Sequence, residues 1–301
     1  MRVGLARRLK RPNAPGLRVR DYLYLFPRAL KATYEDGCLG FAKGAAYSAL
    51  LAFFPLLTTV ATLLVQTRAN WVSQNVSLFL SKVLPPGTET LVFEYFAVRG
   101  QQPVLLPVTA VLLSIWAASG VTVSLMQGFK AAYRIPTGRP FVRERAVAIL
   151  LVFSAFIPVL VASALVLLGG RAEAAVGNWL GLLPRGARFK GGLAALGLIV
   201  RYLISLGSIA LGAAILFYVG PNRPKRWRSV VPGSIVATVL WLGATLGFGW
   251  YVRNIADYNV MYGSIAAAIL LLVWMYVLGV IAFIGCEYNA VCERAEGRSA
   301  R

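Results

Sequence analysis

Long stretches without charged residues alternate with short polar or basic segments along most of this chain. The two clearest lie near the C terminus, where residues 229–252 carry no charge in 24 positions and residues 261–286 carry none in 26. A helix needs about 20 residues to cross a hydrocarbon core of about 30 Å. Only residues 253–260 separate the two stretches. The pattern therefore predicts an antiparallel transmembrane hairpin.

Four more apolar stretches of similar length precede this hairpin. We predict an all-α, polytopic membrane protein with six transmembrane helices and short amphipathic helices at the interfaces. The expected spans are about 40–66, 104–126, 146–168, 194–219, 229–252 and 261–285. Together they make up a membrane domain over 39–288, flanked by a basic cytoplasmic tail with an interfacial helix (1–38) and a short cytoplasmic tail (289–301).

Two segments outside the spans are expected to be amphipathic. Residues 67–102 divide at Pro85-Pro86-Gly87 into halves too short to span, which predicts an outer cap. Residues 21–35 place apolar side chains at helical spacing with Arg28 and Lys31 between them. Such a helix lies on the bilayer surface or packs under the bundle, and the sequence leaves both arrangements open.

Charge and composition agree with a membrane protein. The chain is 58% hydrophobic and 14% charged, whereas about a quarter of residues are charged in soluble domains. Its net charge of +20 suits either nucleic acid or an anionic membrane surface. Because the basic residues concentrate in the tail and in the loops between apolar stretches, the expected partners are the lipid bilayer and anionic lipids at the cytoplasmic face, with no nucleic acid. Oligomerisation stays open.

The distribution of basic residues also predicts an orientation. The N-terminal tail, the 2–3 and 4–5 loops and the C-terminal tail together hold 22 Lys and Arg residues, whereas the opposite side holds 8. The positive-inside rule then places both termini in the cytoplasm.

Little in the sequence indicates catalysis. The chain has no histidine, and its 11 acidic residues are scattered, so the usual general base and the commonest zinc ligand are missing. Cys38, Cys286 and Cys292 form no CxxC pattern. We expect no catalytic residue, no metal site, no cofactor and no enzyme activity.

Several short motifs carry a resemblance to a known family. They are Pro221-Asn222-Arg223, Trp227-Arg228, Pro232-Gly233, Phe248-Gly249-Trp250-Tyr251, Tyr258-Asn259, Tyr262-Gly263-Ser264 and Glu287-Tyr288-Asn289-Ala290. The chain resembles the YihY/BrkB family of bacterial inner-membrane proteins, formerly labelled ribonuclease BN, from about Phe26 to Cys292. The resemblance implies a six-helix, multi-pass protein of the inner (plasma) membrane and names no catalytic residue.

Some residues within the spans are candidates for function. Pro55 and Pro158 interrupt the backbone ladder of their helices and are candidate hinges, although packing explains them as well. Ser119 and Gln127 belong to a polar stripe that lines a shared interior, unless these side chains only bond their own helix. Arg201 snorkels to the outer interface if its helix starts at Tyr202, and otherwise faces a wet interior where it binds an anionic headgroup.

The outer link of the hairpin supplies the remaining candidates for substrate binding. They are Asn254, Asp257, Tyr258, Asn259 and Tyr262. Asn and Asp also stabilise tight turns, and Tyr anchors at interfaces, so a structural role is the alternative.

Three functions remain to be distinguished. The first is a protein that moves or shields an amphiphilic, anionic lipid-like substrate. The second is a membrane assembly or binding protein that transports nothing, and the third, remote one is the tRNA-processing ribonuclease of the old family label.

Overall fold

The computed structural model describes residues 19–67, 105–136, 138–179, 192–254 and 264–299. Within these ranges the chain forms α-helices, one 3₁₀ turn and no strand. The helices are α1 (Val19–Glu35), α2 (Cys38–Thr67), α3 (Leu105–Ala132), α4 (Phe141–Trp179), α5 (Gly192–Val219), α6 (Val231–Asn254) and α7 (Ser264–Ser299), and the 3₁₀ turn is Trp227–Ser229.

Six of these helices, α2 to α7, are long and apolar enough to cross a membrane. The shortest apolar segment among them has 22 residues, which is about 33 Å of helix. The predicted fold class is therefore confirmed. Six spans return the chain to the side on which it began, so α1 and the end of α7 share one end of the bundle. We call this the basic end; it also holds residues 130–145 and 220–230.

Local sequence signals set the helix ends there. Gly37 separates α1 from α2 with φ 69°, a left-handed conformation that glycine adopts without strain. Arg134 follows α3 with φ 53°, and the N–H of Ile135 donates to the carbonyl of Lys130 at 2.9 Å. This six-residue bond closes a Schellman-type cap, and Pro136 then prevents the helix from continuing.

Helix α7 is the centre of the bundle because it packs against α1, α2, α3 and α6. Phe283 of α7, Phe129 of α3 and Phe217 of α5 are fully buried. The Phe129 ring centre lies 5.5 Å from that of Phe217 and 5.6 Å from that of Phe283, both edge-on. Such contacts add to the apolar burial that holds these three helices together.

Helices α6 and α7 approach most closely where two glycines face each other. A Cβ on Gly233 would overlap the carbonyl oxygen of Gly285, and a Cβ on Gly285 would lie 2.8 Å from the carbonyl oxygen of Gly233. Asn289 bridges this crossing: its Oδ1 accepts from the N–H of Gly233 at 2.7 Å, and its Nδ2 donates to the carbonyl of Val230 at 3.2 Å. The side chain of Asn289 thereby caps the start of α6 from a neighbouring helix.

The outward faces of α4, α5 and α6 are apolar along most of their length. Exposed side chains include Leu150, Phe153, Phe156, Ile157, Leu160, Leu196, Ile199, Leu203, Leu211, Ile235, Val239, Leu242 and Leu246. A surface of this kind and extent suits contact with hydrocarbon rather than water.

Some helix limits differ from the sequence prediction. Helix α7 continues to Ser299 instead of ending near 285, because Tyr288 and Cys292 are buried against Leu25 and Ala29 of α1. Glu287, which follows the predicted last span, is 0% exposed. The same packing places one face of α1 under the bundle, while its Tyr24 and Tyr34 stay exposed.

Helix α4 begins at Phe141 rather than 146. Helix α5 begins at Gly192, close to the predicted 194, and not at Tyr202, the alternative start that would have placed Arg201 at the interface. The predicted N-terminal tail before Val19 and the outer cap beyond Thr67 lie outside the described residues.

Candidate functional site

Helices α2 and α3 cross through small residues spaced four apart on both partners. A Cβ on Gly44 of α2 would lie 3.6 Å from Ser124 Oγ, and a Cβ on Gly120 of α3 would lie 3.4 Å from Ser48 Oγ. Gly44 and Ser48 thus face Ser124 and Gly120. Small residues at this spacing let membrane helices approach closely.

This crossing opens on the outside of the bundle as a polar strip. Gly44 and Gln127 are exposed there, and Ser48, Gly120, Ser124 and Arg145 are partly exposed. We call these six residues the polar seam. The seam contrasts with the apolar outward faces of α4, α5 and α6.

Arg145, from the first turns of α4, reaches into the seam. Its Nη2 donates to the carbonyl of Trp116 at 3.1 Å, and its guanidinium carbon lies 4.0 Å from the centre of the Trp116 ring. The Nη1 atom lies 4.0 Å from the position a Cβ would take on Gly120. The carbonyl and the cation–π contact hold the guanidinium in place, while the Trp116 ring remains 57% exposed.

The depth of this guanidinium is unusual. The guanidinium lies at the level of Gly120, which precedes Ala132, the last residue of α3, by 12 positions, and this is about 18 Å of helix. The charge therefore lies far along the apolar span, although Arg145 belongs to the basic end of α4. At that end Lys130 and Glu144 form an ion pair at 2.5 Å that fixes α4 to α3. A charge at membrane depth costs about 2.5–3.5 kcal/mol or more and usually marks a functional position.

The residues predicted from the sequence are spread over several helices. On α3, Ser119 is buried and donates to the carbonyl of Trp116 at 2.6 Å, whereas Gln127 is exposed in the seam. Asn254, the last residue of α6, donates to the carbonyl of Trp250 at 2.8 Å within its own helix. Asp257, Tyr258, Asn259 and Tyr262 lie outside the described residues.

Arg201 lies well inside its helix rather than at its start. It is the seventh residue of the apolar segment Ala195–Val219, about 9 Å along it, and is partly exposed. Both candidate hinges lie within continuous helices, Pro55 in α2 and Pro158 in α4. The carbonyl of Pro158 accepts a hydrogen bond from Ser208 of α5 at 3.2 Å, so this proline lies at a helix contact.

Arg145 was missed as a site residue because residues 130–145 read as a basic loop. Two signals in the sequence point to the structure found. Pro140 immediately precedes the apolar periodic stretch, which favours a helix start there. The Gly-x-x-x-Ser pattern occurs twice, at Gly44 and at Gly120, and predicts the helix crossing.

Comparison with known proteins places the chain in a family. The family model described as virulence factor BrkB matches residues 29–301. The chain belongs to the BrkB family. The motifs of the resemblance include Gly233 and Asn289, whose contacts join α6 to α7.

Curated relatives of this chain carry the names UPF0761 membrane protein or ribonuclease-like protein. The ribonuclease-like protein YfkH of Bacillus subtilis is 25% identical over 83% of this chain and 88% of its own length. A UPF0761 membrane protein of Tolumonas auensis is 25% identical over 81% of this chain and 77% of its own length. Another, from Alteromonas mediterranea, is 35% identical over 31% of this chain and 32% of its own length. No solved structure matches this chain significantly.

A second polar cluster of this BrkB-family protein lies at the basic end. Arg223 and Lys225, from the turn between α5 and α6, both lie over the ring of Tyr133: the guanidinium carbon is 4.3 Å and the Lys225 Nζ 4.4 Å from the ring centre. Burial raises the pKa of the Tyr133 hydroxyl and lowers the pKa of Lys225 to about 8. Both shifts follow from the cost of a charge away from water.

Acidic side chains at this end pair mostly with arginines. Arg223 pairs with Glu293, Arg134 with Asp36 at 3.4 Å, and Arg294 with Glu287 at 3.9 Å. Among the described residues no group of three His, Cys, Asp or Glu side chains is arranged to hold a metal ion.

Proposed function

We propose that this protein moves or shields an amphiphilic, anionic lipid-like substrate, with the anionic headgroup in the polar seam. The observation that supports the proposal most directly is the guanidinium of Arg145 beside Trp116, far along an otherwise apolar span. An arginine presents several N–H donors to an oxyanion, and two contacts already orient this one. Its charge can therefore bind a lipid headgroup at a depth where no water hydrates that headgroup.

The shape of the seam suits an amphiphile. Because the seam lies on the outside of the α2–α3 crossing, acyl chains can stay in the surrounding hydrocarbon while the headgroup follows the small and polar side chains. The hydroxyls of Ser48 and Ser124 and the exposed side chain of Gln127 offer hydrogen bonds to the headgroup. The neighbouring faces of α4, α5 and α6 offer mainly apolar contact.

The same proposal places the molecule in the cell. We infer that the protein lies in the bacterial inner membrane with the basic end in the cytoplasm, since the basic residues concentrate at that end. The anionic substrate would then meet positive charge before entering the seam. Of the predicted contacts, Gln127 belongs to this route, while Arg201 and the outer link 254–262 remain proposed contacts farther out.

The test is transfer of a labelled anionic lipid between leaflets. Wild-type protein in phosphatidylcholine liposomes should move fluorescent phosphatidylglycerol, and Arg145→Gln should slow transfer by roughly tenfold, the effect of about 1.4 kcal/mol. The matched control is Arg143→Gln, two residues away and exposed, which should stay within about twofold of wild type. Circular dichroism and size-exclusion chromatography check that the variants fold.

Other outcomes separate the alternatives. Folded wild-type protein that moves no lipid would favour an assembly or binding protein. Equal rates for the two variants would remove Arg145 from the mechanism. Specific RNA cleavage that survives stringent purification would support a ribonuclease activity, the activity named for the Bacillus relative, and would contradict the expectation of no enzyme.

A further inference from the structure

The turn between α5 and α6 combines several cations with an aromatic platform. Residues 221–230 bring Arg223 and Lys225 onto the Tyr133 ring, 4.3 and 4.4 Å from its centre. On the outer side of the same turn, Arg226, Trp227 and Arg228 are exposed. The turn thus places four basic residues within six positions at one edge of the bundle.

These cations differ in their partners. Arg223 is paired with Glu293 of α7. The Nζ atom of Lys225 is buried and makes no hydrogen bond within the described part of the chain. A buried ammonium is costly unless it is paired, so Lys225 has donors to offer, and the buried Nε of Arg223 likewise has no hydrogen-bond partner within the described part of the chain.

Other arginines bind the backbone carbonyls at the ends of the neighbouring helices. Arg139 donates to the carbonyls of Val219 and Gly220, at 2.7 and 3.2 Å, and Arg294 donates to the carbonyl of Ala132 at 2.5 Å. The carbonyls that end α5 and α3 are therefore already engaged. Lys225 is left facing an aromatic ring rather than a carboxylate.

The position of the turn indicates where an anion would come from. Trp227 is 42% exposed, and its ring centre lies 5.1 Å from that of Tyr218. Tryptophan and tyrosine concentrate at the level of lipid headgroups, which places Arg226 and Arg228 beside phosphates. The flexible four-carbon stem of lysine lets its ammonium reach toward the same level.

We propose that the turn 221–230 is a binding site for a phosphate-type oxyanion, with Lys225 as its principal donor and Arg226 and Arg228 completing it. The phosphate is either that of an anionic phospholipid headgroup or free inorganic phosphate. This site differs from the polar seam and binds its ligand whether or not the protein moves lipid.

The experiment measures binding alone, without transfer. Full-length protein in neutral detergent is titrated with two probes, short-chain phosphatidylglycerol and inorganic phosphate, and the Kd of each is determined. Lys225→Met should weaken binding by roughly tenfold or more, because hydrogen bonds to charged groups are the stronger ones. Lys225→Arg keeps the charge and should bind within about threefold of wild type.

Control variants show whether a change in Kd is specific to the turn. Lys31→Gln, an exposed lysine on α1, should leave the Kd unchanged. Should Lys225→Met fail to fold, Arg228→Gln, an exposed change in the same turn, should still weaken binding by about threefold.

The probes identify the source of the phosphate. Variant-sensitive binding of phosphatidylglycerol only identifies a lipid headgroup site, and sensitive binding of both probes identifies a site for phosphate in general. The proposal is overturned if wild type binds neither probe, or if the turn variants that fold bind both as wild type does. Because transfer is not measured, this failure is distinct from a failure of lipid movement.

Discussion

The position and contacts of single residues determine which cations of this bundle can bind a ligand. Arg145 and Lys225 are both cations with aromatic contacts, but Arg145 lies along an apolar span and Lys225 lies in a turn at the basic end. The sequence could not separate them from other basic residues, because a loop arginine and one at a helix start look alike. The long side chain of Arg145 also places its charge at a distance from its own Cα atom. The spacing of apolar residues in the sequence does not predict this displacement.

Lys225 makes the free energy of unfolding depend on pH. The burial of its ammonium determines whether stability rises or falls with pH. Burial lowers its pKa from 10.5 to about 8, with the nearby Arg223 lowering it further and Cys286 raising it. The folded protein therefore holds fewer protons than the unfolded chain between these values, so stability rises from about pH 8 to 10.5. Below pH 8 the full cost of the buried charge is present.

The prediction is checked by thermal unfolding in phosphatidylcholine nanodiscs at several pH values. The Tm of wild type should rise more between pH 8 and 10 than that of Lys225→Met, which has no proton to lose. Lys31→Gln is the control, and it should follow wild type. Parallel curves for wild type and Lys225→Met would show that Lys225 titrates normally.

At the scale of elements, the sequence predicted the number and type of the helices well because uncharged stretches of 20 or more residues have few alternatives. The limits of the helices were harder to predict. Helix α7 runs past Glu287 because Leu25 and Ala29 of α1 pack against its Tyr288 and Cys292 and the Ala132 carbonyl of α3 accepts from its Arg294. Such tertiary contacts leave no local signal. Arg201 lies inside α5 because that helix begins at Gly192, near the predicted start at 194.

The α6–α7 crossing depends on the absence of side chains at Gly233 and Gly285. Gly233→Val would force a branched side chain into the Gly285 carbonyl and the Asn289 amide, so we expect a loss of about 3 kcal/mol or more. The measurement is the folded yield by size-exclusion chromatography together with Tm.

A matched control exists on the same helix. A Cβ on Gly243 meets nothing within 4 Å, so Gly243→Ala should be neutral or slightly stabilising through helix propensity. If Gly233→Val folded as well as Gly243→Ala, the close approach of α6 and α7 would be refuted.

At the scale of the whole molecule, the surface of the described helices includes broad apolar faces and a polar seam. The sequence predicted polar residues on α3, including Gln127 and Ser119, but not which of them face outward. That division depends on how α2, α3 and α4 rotate about their axes, and packing contacts fix the rotation. The residues of the proposed outer contacts from 257 to 262 lie beyond the described structure and keep the status of sequence predictions.

The polar seam is the feature on which the functional account depends, and its hydration can be measured directly. The three native cysteines are buried, so single spin labels can be placed at Gln127→Cys in the seam and at Leu150→Cys and Ile157→Cys on the apolar face of α4. In reconstituted bilayers the account predicts that a water-soluble nickel reagent relaxes the label at 127, while oxygen dissolved in lipid relaxes those at 150 and 157. If all three labels responded to oxygen alone, the seam would be an ordinary lipid-facing surface and the account would be contradicted.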